Sequence, residues 1–163
     1  QEHYLFSRTL AENIALGGGN AEIEDIKDAA GTASLLETIE SFKEGFETTV
    51  GERGVTLSGG QKQRTAIAHM LIGKSPIMVF DDSLSAVDAE TDAKIRKGLL
   101  EKGKNSTVII ISHRITTLMA ADNILVLDKG RLVESGTHDE LIKNTGIYRK
   151  IYDIQSVALN YEE

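Results

Sequence analysis

The apolar positions of the chain follow two different spacings. Spacings of three and four, which are typical of amphipathic helices, occur over residues 9–16, 23–42, 62–72, 89–100, 138–144 and 147–157. Short runs that predict strands occur over residues 77–80 and 107–111, and residues 124–127 and 132–134 flank Gly130 as a hairpin would. Gly31 interrupts the second helical segment, which therefore predicts two short helices rather than one.

The two apolar strands indicate how these elements pack. Strands that are apolar throughout and alternate with helices predict a parallel sheet covered on both faces. Functional groups in such sheets lie beyond the carboxyl ends of the strands. One strand ends in Asp81 and Asp82, and the other runs into Ser112 and His113. The sequence therefore places its candidate chemistry after these two strands.

Composition and charge narrow the class of protein. The 163 residues have the size of one ordinary domain. The net charge of −7, from 18 Lys and Arg against 25 Asp and Glu, argues against nucleic acid as the main partner. Cysteine is absent from the sequence, which excludes disulfides and thiolate-bound metals within it. No apolar run approaches the roughly 20 residues that cross a bilayer.

The segment Ser58-Gly59-Gly60-Gln61 has two interpretations. It fits a capping box, with Ser at the N-cap and Gln three positions on, and would then only start a helix. Glycine, however, costs about 1 kcal/mol relative to Ala within a helix. Two glycines in the first turn suit a ligand that approaches bare backbone, and helix N-termini attract phosphate. These residues alone leave both interpretations open.

The acids after residue 80 are equally ambiguous. Asp81 or Asp82 could hold Mg²⁺ at the end of a strand. Paired acids in such a place are more often an ordinary loop or helix cap. His113 taken alone would also be more often a surface or core histidine.

Taken in order, the motifs resemble those of ABC-transporter ATPase domains. The string Leu57–Arg64 resembles the ABC signature, and Asp81, which lies 17 positions after Arg64, ends a segment that resembles a Walker B strand. Further segments match in the family's order. Gln1-Glu2 with Leu5–Ser7 resembles the Q-loop region, Val50–Gly54 the exporter-type loop, and Ser85–Asp88 the D-loop. Ile111–Arg114 resembles the switch-histidine motif, and Asp128–Arg131 and Gly136–His138 resemble the tail of the domain. The resemblance covers nearly the whole chain.

The resemblance implies an α/β, partial P-loop NTPase (ABC ATPase) fold. Residues 1–75 would form the helical signature subdomain with the start of the Q-loop, and residues 76–163 the C-terminal half of the mainly parallel-sheet core. No G-x-x-x-x-G-K-[ST] occurs in the sequence. We therefore expect the phosphate loop upstream of Gln1, with a membrane domain before it.

The resemblance also implies the ligands ATP and Mg²⁺ and a role for each site residue. The implied nucleotide contacts are Ser58, Gly59, Gly60, Gln61, Gln1 and Asp88, the catalytic residues are Asp82 and His113, and the metal residues are Asp81 and Gln1. His113 would contact the γ-phosphate. In the family each ATP lies between Walker A and B of one subunit and the signature of the other.

Asp82 departs from the family pattern, which has glutamate at this position. A side chain one methylene shorter withdraws the carboxylate by about 1.5 Å, whereas a general base must reach its proton within roughly 2.6–3.2 Å. This change is familiar in heterodimeric exporters in which one ATP site hydrolyses poorly. The resemblance thus implies a degenerate-site subunit of a multidrug-type exporter with a non-identical partner. We expect the chain on its own to be inactive.

The implied function is ATP-driven export at the cytoplasmic face of a membrane, coupled to transmembrane helices. An importer ATPase is the alternative within the family, and the loop ending in Gly51–Gly54 favours the exporter. A DNA-repair or chromosome-organising ATPase head would carry long coiled coils, yet Leu57 follows Gln1 by only 56 positions. A translation factor with twin ABC domains would show basic insertions, which this sequence lacks.

Overall fold

The computed structural model describes residues 4–19, 21–51, 54–73, 75–81, 89–102 and 106–159. The chain divides into two compact units, residues 1–110 and residues 111–163. Each unit has a hydrophobic core of its own. The predicted boundary between residues 75 and 76 concerns functional subdomains and stays a prediction.

The first unit is built mainly from helices that the apolar periodicity predicts. Its elements are α1 (Leu10–Ala15), α2 (Ile23–Thr32), α3 (Leu36–Glu40), a 3₁₀ turn (Gly45–Glu47), α4 (Gly59–Ile72), β1 (Ile77–Asp81) and α5 (Ala89–Lys102). They are followed by β2 (Thr107–Ile111), whose last residue already belongs to the second unit. The predicted break between α2 and α3 is confirmed, but it falls three residues after Gly31. Ser34 makes the turn there with φ of 52°.

Helix α4 is the central element of this unit. It packs against α1 and α2 and buries Thr65, Ile67, Ala68, Leu71 and Ile72. Its contact with the end of α1 is close, since a Cβ on Gly17 would lie 2.1 Å from the His69 carbonyl oxygen. Only glycine allows that approach, so the glycines that end α1 also let α4 pack against it.

Strands β1 and β2 form the predicted parallel pair. Their burial alternates, however, instead of being continuous. Met78 and Phe80 are buried in the core, whereas Ile77 and Val79 are 60% and 53% exposed. The expectation that both faces are covered is therefore wrong for the described part of the chain. Among the described residues, the core of the first unit includes the β1 face that carries Met78 and Phe80.

The second unit contains a hairpin and three helices. Its elements are α6 (Ile115–Leu118), β3 (Ile124–Asp128), β4 (Arg131–Gly136), α7 (His138–Leu141) and α8 (Ile147–Leu159). β3 and β4 pair antiparallel, as predicted, across a turn in which Gly130 has φ of 76°. α6 was not predicted, because four residues are too few for an apolar period to show.

A small core joins these elements. Ile115, Ile124, Leu141 and Tyr148 are almost fully buried, and they come from α6, β3, α7 and α8 respectively. The Tyr148 hydroxyl lies 2.8 Å from His138 Nδ1. Within the described residues, no helix is both long and apolar enough to cross a membrane.

Candidate nucleotide site

The first turn of α4 is built by a reciprocal pair of hydrogen bonds. Ser58 Oγ accepts from the Gln61 N–H at 3.3 Å, and Gln61 Oε1 accepts from the Ser58 N–H at 2.8 Å. The capping box that the sequence allowed is therefore present. The helix begins at Gly59, three residues before the predicted start, because this cap compensates for two glycines in the first turn.

The capping box leaves the amides of Gly59 and Gly60 without an acceptor inside the helix. Gly59 is exposed, and a Cβ built on it would meet no atom within 4 Å. The first turn of α4 carries no acidic residue, whereas α1, α2 and α7 carry Glu or Asp there. The end of α4 thus combines accessible amides, the positive end of the helix dipole and no local carboxylate.

Capping does not exclude a ligand at this helix end. A serine hydroxyl has one hydrogen to donate and two lone pairs. Accepting from Gln61 uses one lone pair, so the Ser58 O–H can still donate. The Gln61 side chain accepts through Oε1, and its Nε2 group carries two further donors. The two interpretations of Ser58–Gln61 are therefore compatible in one structure.

Asp81, the acid predicted to hold Mg²⁺, lies at the end of β1. Asp81 is the last residue of that strand and is exposed. Asp82 and Asp88 lie outside the described residues, so the predicted water-activating acid and D-loop have no structural account here. Among the described residues, no group of three or more His, Asp or Glu side chains is arranged as a metal site.

His113 follows β2 by two residues and belongs to the second unit. Its side chain is exposed. The backbone around it is held by hydrogen bonds: Ser112 Oγ accepts from the Arg114 N–H at 3.1 Å, and Gln155 bonds to the backbone of His113 and Ile115. Sequence reasoning missed Gln155, since it lies 42 positions from His113.

The Q-loop region is described only from Tyr4 onward, and Gln1 lies outside the described residues. The segment that follows it is fixed by Asn13 of α1. Asn13 is 3% exposed, its Oδ1 accepts from the Phe6 N–H at 2.9 Å and its Nδ2 donates to the Phe6 carbonyl at 3.0 Å. Sequence reasoning gave Asn13 no role. A polar residue on the apolar face of α1 is the signal that could have found it.

Among the described residues of the second unit, Tyr148 and Glu140 have shifted pKa values. Burial raises the pKa of the Tyr148 hydroxyl, and the nearby Tyr152 adds to that shift. Hydrogen bonds from Thr137 lower the pKa of Glu140, which completes the capping box of α7. Both shifts follow from packing and capping, and neither residue was predicted to bind nucleotide.

Comparison with known proteins identifies the family. Residues 1–85 match the family model described as "ABC transporter". That is more than half of the 163 residues. The chain therefore belongs to the ABC transporter family.

Several relatives match almost the whole chain. "Uncharacterized ABC transporter ATP-binding protein YfiB" of Bacillus subtilis is 48% identical over 155 residues, which are 95% of this chain and 27% of that protein. "Putative multidrug export ATP-binding/permease protein YgaD" of the same species is 43% identical over 157 residues, or 96% of this chain and 27% of that protein. The chain thus spans about a quarter of the length of these relatives.

A solved structure confirms the fold class. A bacterial Atm1-family ABC exporter with ATP bound matches with a TM-score of 0.87 and 39% identity. The match covers 95% of this chain and 27% of that chain. The predicted partial ABC ATPase fold is therefore confirmed.

Proposed function

We propose that this chain is the C-terminal part of the nucleotide-binding domain of an ABC exporter. The observation that carries the proposal is the open, capped N-terminus of α4, at the position of the family's signature motif. The relatives named above support export over import, since one of them is named for multidrug export and the matching structure is an exporter. As part of such a membrane protein, the domain would lie at the cytoplasmic face.

The start of α4 would bind the phosphates of an ATP that a second subunit holds. Backbone amides of Gly59 and Gly60 can donate to phosphate oxygens, and the Ser58 hydroxyl adds a third donor. Because α4 is packed along its length against α1 and α2, these donors are pre-oriented and little entropy is lost on binding. ATP would thereby join two subunits and move the transmembrane helices attached to them.

The residues present also fit the predicted Mg²⁺. Asp81 offers carboxylate oxygens, the hard ligands that Mg²⁺ takes from proteins while phosphate oxygens and waters complete its shell. When bound, the ion would neutralise charge on the β- and γ-phosphates. Gln1 is proposed to reach the same ion, and Asp88 to contact nucleotide from the D-loop. His113 would donate to the γ-phosphate.

We further propose that the partner subunit is not identical and that the site containing Asp82 is the slow one. The support is the sequence alone: aspartate stands where the family has glutamate, while the signature segment is intact. This subunit would then supply a working signature to its partner's site. The residues proposed to hold Mg²⁺ and γ-phosphate would keep nucleotide bound at its own site.

The two roles of Ser58 can be separated with a second helix cap. In the complete transporter, Ser58→Ala and Thr9→Ala should each lower the free energy of unfolding by about 1 kcal/mol, because each removes the N-cap of a helix. Only Ser58→Ala should also lower the rate of steady-state phosphate release. If both variants keep the parental rate, Ser58 is a helix cap and nothing more.

The isolated 163-residue chain should bind Mg-ATP weakly or not at all. The P-loop lysine and backbone amides supply most phosphate contacts in this class of ATPase, and the chain contains no such loop. Isothermal titration calorimetry measures this directly. Low-micromolar affinity for the isolated chain would show that the residues of this chain are sufficient for binding without the phosphate loop.

Replacing Asp82 by Glu should raise hydrolysis at this subunit's own site. The test uses the full transporter with the partner's catalytic acid neutralised, so that phosphate release reports this site alone. A longer side chain restores reach toward the attacking water, and misplacement near 1 Å can cost on the order of 100-fold. We expect a gain of several-fold, short of full recovery.

Two outcomes would contradict the slow-site proposal. A site that is already fast with Asp82 would show that this acid serves well enough. An unchanged rate for Asp82→Glu would place the defect elsewhere, for instance in the partner's signature segment.

A further inference from the structure

Gln155, in the second half of α8, contacts the backbone on both sides of Arg114. Its Nε2 donates to the His113 carbonyl oxygen at 2.7 Å, and its Oε1 accepts from the Ile115 N–H at 2.8 Å. The orientation of the amide follows from these partners, because a flipped amide would set donor against donor and acceptor against acceptor. One side chain thus pairs with two backbone groups that are two residues apart.

The segment held in this way has little stability of its own. α6 has only four residues, Ile115–Leu118, and isolated helices of that length do not form in water. Its first residue, Ile115, is fully buried in the core of the second unit. Gln155 supplies the acceptor that the Ile115 N–H lacks at this helix start. No N-cap side-chain bond is made by Arg114, so the cap comes from α8.

Helix α8 is anchored at its other end. Glu134 Oε1 accepts from the Ile147 N–H, and also from the Tyr148 N–H at 3.4 Å. Tyr148 is 1% exposed and is bonded to His138. The first turn of α8 is therefore fixed to β4 and α7. Two turns further along the same helix, Gln155 contacts the His113 backbone.

We propose that Gln155 is the positioning residue for His113. It would hold the His113 backbone in one place so that the imidazole meets the γ-phosphate in a single geometry, without touching nucleotide itself. The proposal rests on the function proposed above for His113. Gln155 lies outside the ABC motifs, and we expect its replacement to slow ATP hydrolysis by displacing His113.

The main test replaces Gln155 by Met in the complete transporter with the partner's catalytic acid neutralised, so that phosphate release reports the site of His113 alone. All variants below are compared in that background. Methionine keeps the length and volume but makes neither hydrogen bond. We expect kcat for ATP hydrolysis to fall by roughly 10- to 100-fold, the range for a catalytic group displaced by up to about 1 Å. KM for ATP should change little, because most phosphate contacts come from other residues. Hydrogen exchange of the Ile115 amide should become faster.

The matched control is Ser156→Ala, one residue further along α8. Ser156 Oγ donates to the Asp153 carbonyl oxygen within the same helix, at 3.2 Å. This variant should keep the parental kcat and the parental exchange of Ile115. If Gln155→Met and Ser156→Ala have equal kcat, Gln155 is not a positioning residue.

Gln155→Glu separates the two hydrogen bonds and serves if the Met variant fails to assemble. The carboxylate can still accept from the Ile115 N–H but opposes the His113 carbonyl. We expect Ile115 exchange close to the parental rate together with a reduced kcat. A parental kcat for Gln155→Glu would overturn the proposal, since the bond to His113 would then be dispensable.

A double variant distinguishes this proposal from the role given to His113. If Gln155 acts through His113, Gln155→Met should cause no further loss of kcat in a His113→Ala background. Full activity of His113→Ala alone would overturn the function proposed for His113, and the positioning role with it. Loss in His113→Ala with additive further loss on adding Gln155→Met would overturn the positioning role only.

Discussion

The first turn of α4 contains two kinds of backbone N–H group. Those of Ser58 and Gln61 are satisfied by each other's side chains, whereas those of Gly59 and Gly60 have no acceptor within the helix. The capping box fixes where the helix begins, and the glycines keep its end open. Helices α1 and α2 pack along α4 and keep its axis in place, so they stabilise the position of this first turn.

In the second unit, the backbone of His113 is likewise held by a side-chain hydrogen bond. A polar residue in a loop can be placed accurately only if the loop is tied to a packed scaffold. Here the scaffold is the buried group that includes Ile115 and Tyr148, and the tie is the amide of Gln155. Both proposed phosphate contacts therefore depend on backbone held by side-chain hydrogen bonds.

Local pattern was enough to predict most of the secondary structure. The capping box at Ser58, the strand at Thr107–Ile111 and the hairpin around Gly130 all have short-range signals, and the structure contains each of them. The ordered motifs were enough to predict the family, which no single motif could have done.

What sequence missed is long-range or collective. The exposed face of β1 was not predicted, because Ile77 and Val79 are apolar and a continuous apolar run predicts a strand covered on both faces. The four residues of α6 are too short for periodicity. Gln155 lies 42 positions from His113, and only the folded chain brings them together. The roles of the predicted site residues stay predictions.

The function proposed for this chain depends on the start of α4 binding phosphates that a second subunit holds. The most direct measurement is a structure of the complete transporter trapped with ATP in its closed state. We expect a phosphate oxygen of the partner's nucleotide to lie about 3 Å from the amide nitrogen of Gly59 or Gly60. Phosphates that contact one subunit only, with this helix end facing solvent, would contradict it.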